Sequence, residues 1–148
     1  ENIGNASSKK VRVTFKDISS IISTSGSDVF STNTINVDDL TLESTSGSDM
    51  KLDVNTSVLY CNSTSGSDMR LSGRTIKLVA EATSGSDIKA ADLIAESSVV
   101  KATSGADITV NTSKELTASA NTGGDVKYYG NPEKVNKNNA SSGSISQQ

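Results

Sequence analysis

The stretch Leu59-Tyr60-Cys61-Asn62-Ser63-Thr64-Ser65-Gly66-Ser67-Asp68-Met69-Arg70-Leu71 decides the fold, because apolar and polar residues alternate on both sides of a tight Ser-Gly-Ser turn. A period of two marks a strand with one buried face, and the turn marks a reversal between two such strands. The same unit recurs along the chain. Thr-Ser-Gly-Ser-Asp stands at Thr24–Asp28, Thr45–Asp49, Thr64–Asp68 and Thr83–Asp87, returns as Thr-Ser-Gly-Ala-Asp at Thr103–Asp107, and shortens to Thr122-Gly123-Gly124-Asp125. Successive Asp residues lie 21, 19, 19, 20 and 18 positions apart. Spacing held that closely over six copies belongs to a stacked repeat rather than to drifting low complexity.

Aligning the copies on the Asp assigns each column a direction. One residue after it come Val29, Met50, Met69, Ile88, Ile108 and Val126, and three after it Leu52, Leu71, Ala90, Val110 and Tyr128. Both columns are expected to point inward. Nine, seven and five before it stand Leu59, Cys61 and Ser63 with their equivalents, forming the opposite inner wall and narrowing toward the turn. Gly26, Gly47, Gly66, Gly85, Gly105 and Gly124 are assigned to the corner, where glycine adopts a positive φ without steric cost. Flanking Ser and Asp side chains are expected to bond to the turn backbone. Gly73 breaks no column, so its replacement is expected to be the milder one.

Two walls joined by a tight turn at one edge and a looser connection at the other make one coil of a parallel β-helix, an all-β solenoid. The chain is expected to be a single domain, residues 1–148, with about six coils of 18–21 residues over 9–132 and a closing strand and polar tail over 133–148. Composition agrees. Hydrophobic residues make up 33% and aromatics 3%, while 27 Ser and 15 Thr supply small side chains, enough for a thin stacked core but not a thick one.

Composition also narrows function. With no histidine and one cysteine, the chain has no internal disulfide, no multi-Cys or His zinc site, and no Cys-His or Ser-His-Asp catalytic set. A net charge of -3 disfavours nucleic acid, which is attracted by a cationic excess. No run is long and apolar enough to be a transmembrane segment.

The Ser-Gly-Ser turns, Asp87-Ile88-Lys89-Ala90-Ala91-Asp92-Leu93, and Val126-Lys127-Tyr128-Tyr129-Gly130-Asn131-Pro132 followed by Ser142-Gly143-Ser144 resemble the head GIN domain of auto-transporter adhesins over roughly residues 9 to 146. The resemblance implies a single-stranded right-handed β-helix exported to the surface of Bacteroidetes-type bacteria, without a catalytic set and with a role in adhesion. It also implies that a stretch of the family domain before Val11-Arg12-Val13-Thr14-Phe15 is missing here.

Three outward features carry the functional expectations. The Asp column has the oxygen chemistry of a calcium ladder, but the nine-residue Gly-Gly-x-Gly-x-Asp unit of calcium-binding coils is absent, so turn capping is its expected role and no cofactor or metal is assigned. Two residues after each Asp, Lys51, Arg70 and Lys89 form a cationic strip suited to an anionic host glycan or headgroup; the bland alternative is a solvated face that discourages sheets from sticking. On the other wall Tyr60, Val79 and Val99 form an outward apolar column suited to a surface protein or a second copy of the chain. The coil ends offer another route to homo-oligomers. Cys61 falls in an inward column, where it serves as a small hydrophobe. The chain is thus expected to be a non-enzymatic, extracellular or outer-membrane-surface binding module and adhesin. The alternatives are a carbohydrate-active enzyme of pectin-lyase-like fold and a structural spacer.

Overall fold

The computed structural model describes residues 17–148. The expected start of the coils at residue 9 and the Val11–Phe15 segment lie outside the described residues. Eleven strands, all paired in parallel, form one continuous ladder. The first coil is built of β1 (Ser20–Ser23), β2 (Asp28–Phe30) and β3 (Ile35–Asn36), and β4 (Asp39–Ser44) opens the second. Four long strands follow: β5 (Asp49–Ser63), β6 (Asp68–Ala82), β7 (Asp87–Thr103) and β8 (Asp107–Asn121). Each leaves a turn at its Asp, runs along one wall, bends, and returns along the other wall to the next turn.

The chain closes with β9 (Asp125–Tyr129), β10 (Lys134–Ala140) and β11 (Ser144–Gln147). The solenoid has about seven turns, where the repeat suggests about six. The seventh is Ser141-Ser142-Gly143-Ser144, which follows its predecessor by 19 residues but has Ser in place of the marker Asp. Lys134–Gln147, read from the sequence as a closing strand and tail, pairs in register with β8 and β9. At about 4.8 Å per coil the stack is on the order of 30 Å long.

The alternating columns become the core. Leu40, Leu59, Leu78 and Leu116 are fully buried and face Met50, Met69, Ile88, Ile108 and Val126 across the thin interior. The Asp residues mark the register, since Asp49 pairs with Asp68, Asp68 with Asp87, Asp87 with Asp107 and Asp107 with Asp125. The 20-residue interval before Asp107 is absorbed as register shifts between β7 and its neighbours.

The turns stack as well as the strands. In the first five, a Ser and the following Gly both adopt positive φ, as at Ser65 (56°) and Gly66 (70°), and the sixth and seventh use Thr122 with Gly123 and Ser141 with Ser142. The Gly66 N–H donates to Ser84 O of the next turn at 3.2 Å, and the Gly47 N–H to Ser65 O at 3.1 Å. The sixth turn corrects one assignment: its positive-φ glycine is Gly123 (74°), and Gly124 falls one place later, in the column of Ser48, Ser67 and Ser86. There it packs so closely that a Cβ would lie 2.5 Å from Ala102 O.

The side-chain bonds at the turn come from that serine. Ser67 Oγ accepts the Thr64 N–H at 3.1 Å and lies 2.7 Å from Ser44 O of the preceding coil. Ser48 and Ser86 repeat the arrangement. Among the described residues no carboxylate of the Asp column bonds to the turn backbone, so the expected Asp caps are replaced by serine ones. The carboxyl points to solvent, whereas the serine hydroxyl points inward, where the stranded groups are.

Gly73 overturns the expectation of tolerance. It sits where β6 bends between walls, with φ 109°, and an added Cβ would lie 2.0 Å from Val54 O. The turn glycine Gly66 has nothing within 4 Å of that position.

Candidate functional site

The outward residues of the two walls lie where alternation puts them. On the wall after each turn, Lys51, Arg70 and Lys89 are exposed neighbours on adjacent strands. They differ electrostatically. Lys89 Nζ sits 3.0 Å from Asp87 and 3.8 Å from Asp68, whereas among the described residues neither Lys51 nor Arg70 enters an ion pair. These two free cations line an open groove of about 560 Å³ with Asp28, Asp49, Asp53 and Asp68 on its sides.

The carboxylates are as much a part of this wall as the cations. Six Asp in one column flank four cations, Lys51, Arg70, Lys89 and Lys127, in the next, so the pair of columns is negative overall. Crowding shows at Asp107: desolvation first, and then the like charges of Asp87 and Asp125, hold its carboxyl above the ordinary aspartate range, against the opposing pull of Lys127 and Lys89. Among the described residues no group of three or more acidic or cysteine side chains is arranged to hold a metal ion.

On the opposite wall Tyr60, Val79 and Val99 pair in register and stand outward, in a column that includes Ser20 and Thr41 before them and runs on to Thr117 and Asn136. Tyr60 is 46% and Val99 42% exposed, and Val79 between them is half-buried. Charged residues border this ridge, with Lys101 Nζ 2.9 Å from Glu81 and Lys134 Nζ 2.9 Å from Glu115. The wall is flat and nearly balanced in charge.

Several exposed apolar side chains, Ile22, Ile76, Ile94 and Tyr129 among them, are not singled out by the repeat columns. Ile76 and Ile94 project at the bend between walls, 54% and 46% exposed. Strict alternation would bury one of every two residues, but in β6 Ile76 and Lys77 are both exposed between buried Thr75 and Leu78, and in β7 register shifts break the rule at Ile94. Cys61 lies in the core, 4% exposed, and burial pushes its thiol far up from the ordinary cysteine value.

The structure is similar to the crystal structure of a putative adhesin from Bacteroides fragilis, with a TM-score of 0.76 at 22% identity. The match covers 82% of this chain and 56% of that one, so the chain spans little more than half the length of that protein. No curated protein matches the sequence. The family model described as putative auto-transporter adhesin, head GIN domain, matches residues 1–132, and the chain belongs to that family.

Proposed function

We propose that the chain is a non-enzymatic adhesin head domain, displayed at the cell surface, that holds a host glycan in the groove beside Lys51 and Arg70. The observation that carries this is the pair of adjacent, exposed and unpaired cations on a rigid wall. Two donors about 4.8 Å apart suit a single carboxylate or sulfate group. The flanking Asp carboxylates accept hydrogen bonds from sugar hydroxyls and repel a polyanion. A sialylated glycan therefore fits better than a heparin-like chain. Family membership and the adhesin neighbour support the adhesive role. The wall's carboxylates recur coil after coil, and a residue repeated in every coil has no unique partner with which to divide the roles of acid and base in a glycoside-cleaving pair.

A glycan array with the purified chain tests this. Sialylated glycans are expected to bind, more weakly as salt rises, because exposed charge contacts are screened over about 8–10 Å at physiological ionic strength. Lys51→Glu with Arg70→Glu is expected to abolish that binding while leaving the melting temperature unchanged. Retained binding by this variant, or binding of heparin alone, would remove the assignment.

A further inference from the structure

The wall opposite the groove is the second feature of the molecule, and its charges specify a partner. Three outward columns cross it. The ridge of Tyr60, Val79 and Val99 runs up the middle, flanked on one side by the column containing Asp39 and Lys134 and on the other by the column containing Glu81 and Lys101. The pattern is self-complementary under one operation. A two-fold axis parallel to the strands, passing between the coils of Val79 and Val99, sets Val79 on Val99 of the second copy. The same axis sets Glu81 against Lys101, Asp39 against Lys134, and Tyr60 against Thr117. No like charges meet.

Other registers do worse. Two solenoids packed parallel would bring Asp39 onto Glu43 of the second copy, and an antiparallel pair centred on Val79 would bring Glu81 onto Glu81. Centring between Tyr60 and Val79 yields one kind of ion pair, Glu43 with Lys101, instead of two. In the favoured register, Glu81 and Lys101, already 2.9 Å apart within one chain, close a ring of four alternating charges with their mates.

We infer that this wall is a homodimer interface between antiparallel solenoids, joined face to face about the Val79–Val99 coils. Six coils of about five residues give a footprint of roughly 29 by 16 Å on each copy. That is at the low end for specific association, so the dimer is weak in solution, with a dissociation constant on the order of tens to hundreds of micromolar. Two copies held on one surface meet at a much higher effective concentration. The dimer leaves the Lys51–Arg70 grooves on its two outer faces, which gives one assembly two binding sites.

Sedimentation velocity over a concentration series is expected to show a monomer–dimer equilibrium. Glu81→Lys is expected to weaken it at least tenfold, and Glu81→Lys combined with Lys101→Glu to restore it. The register is read by cross-linking. Thr41→Cys mixed with Asn136→Cys is expected to form a disulfide-linked dimer, because the axis places these residues together, while neither variant links to itself. The buried Cys61 does not compete. A chain monomeric at millimolar concentration would overturn the proposal, and so would self-linking by Thr41→Cys alone, which marks a parallel pair. Attachment to an unrelated protein that is lost in Val99→Asp, without any dimer, would give the wall to that protein instead. None of these outcomes bears on glycan binding by the opposite wall.

Discussion

At the level of single residues, the sequence tells which side chains are buried far better than it tells which glycines matter. The columns around Met69 and Leu78 follow from alternation alone, and both residues are fully buried. The repeat columns separate Gly66, in the turn, from Gly73, outside every column, but rank them the wrong way. Gly66 needs a positive φ and has open space, and Ser142 adopts φ 68° at the equivalent place in the last turn. Gly66→Ala is therefore expected to cost about 1 kcal/mol. Gly73→Ala adds a collision with Val54 O to an unfavourable φ, and is expected to cost about 3 kcal/mol or more in urea unfolding. No repeat pattern reveals that collision, because it depends on how tightly the neighbouring coil's backbone approaches. Equal midpoints for the two variants would contradict it. At Cys61 alignment sufficed: burial keeps the thiol protonated, so a thiol reagent is expected to leave the folded chain unmodified and to react on unfolding.

At the level of the element, the turn is a hydrogen-bonded module whose parts must be changed together. Ser63 Oγ and Ser67 Oγ lie 2.8 Å apart in the interior, and Ser67 also receives the Thr64 N–H. Ser67→Ala leaves the Thr64 N–H its bond to Ser44 O but removes a buried hydroxyl that bonds to both Ser44 O and Thr64 O, and is expected to cost about 1–2 kcal/mol. The fifth coil has dispensed with both hydroxyls, carrying Ala102 and Ala106 at the equivalent positions. The double change Ser63→Ala with Ser67→Ala is accordingly expected to cost less than the two single changes summed, as a double-mutant cycle would read. The Asp column gives a pH signature. Because the folded chain holds the Asp107 carboxyl above its unfolded value, it binds more protons than the unfolded chain between those two values. Stability from this group therefore rises as pH falls through that window and is lost as pH rises. Asp107→Asn is expected to raise the melting temperature by about a degree or two at pH 7 and to leave it unchanged below pH 3. The sequence discloses that six carboxylates stack; the desolvation that raises Asp107 depends on packing that no repeat column shows.

For the whole molecule, the seventh coil differs from the coils beneath it. Its inward columns hold Val135, Lys137 and Asn139 where the coil beneath holds Leu116, Ala118 and Ala120. Lys137 lays its ammonium over the Tyr128 ring, 4.9 Å from the ring centre, which covers the last aromatic of the core with a charge. Burying such a polar layer means desolvating that charge, which disfavours a second copy stacking on the strand edge of β10. Removing the polarity while keeping the strand tests this. Lys137→Leu with Asn139→Ala presents an apolar end of the same shape and is expected to raise light scattering and thioflavin binding as concentration increases, while circular dichroism of the fresh protein matches the parent. Lys137→Arg keeps a cation over Tyr128 and is expected to stay as soluble as the parent. If the apolar double variant is equally soluble, the charge of this coil is not what keeps copies from stacking, and the twist or shortness of β10 must do so.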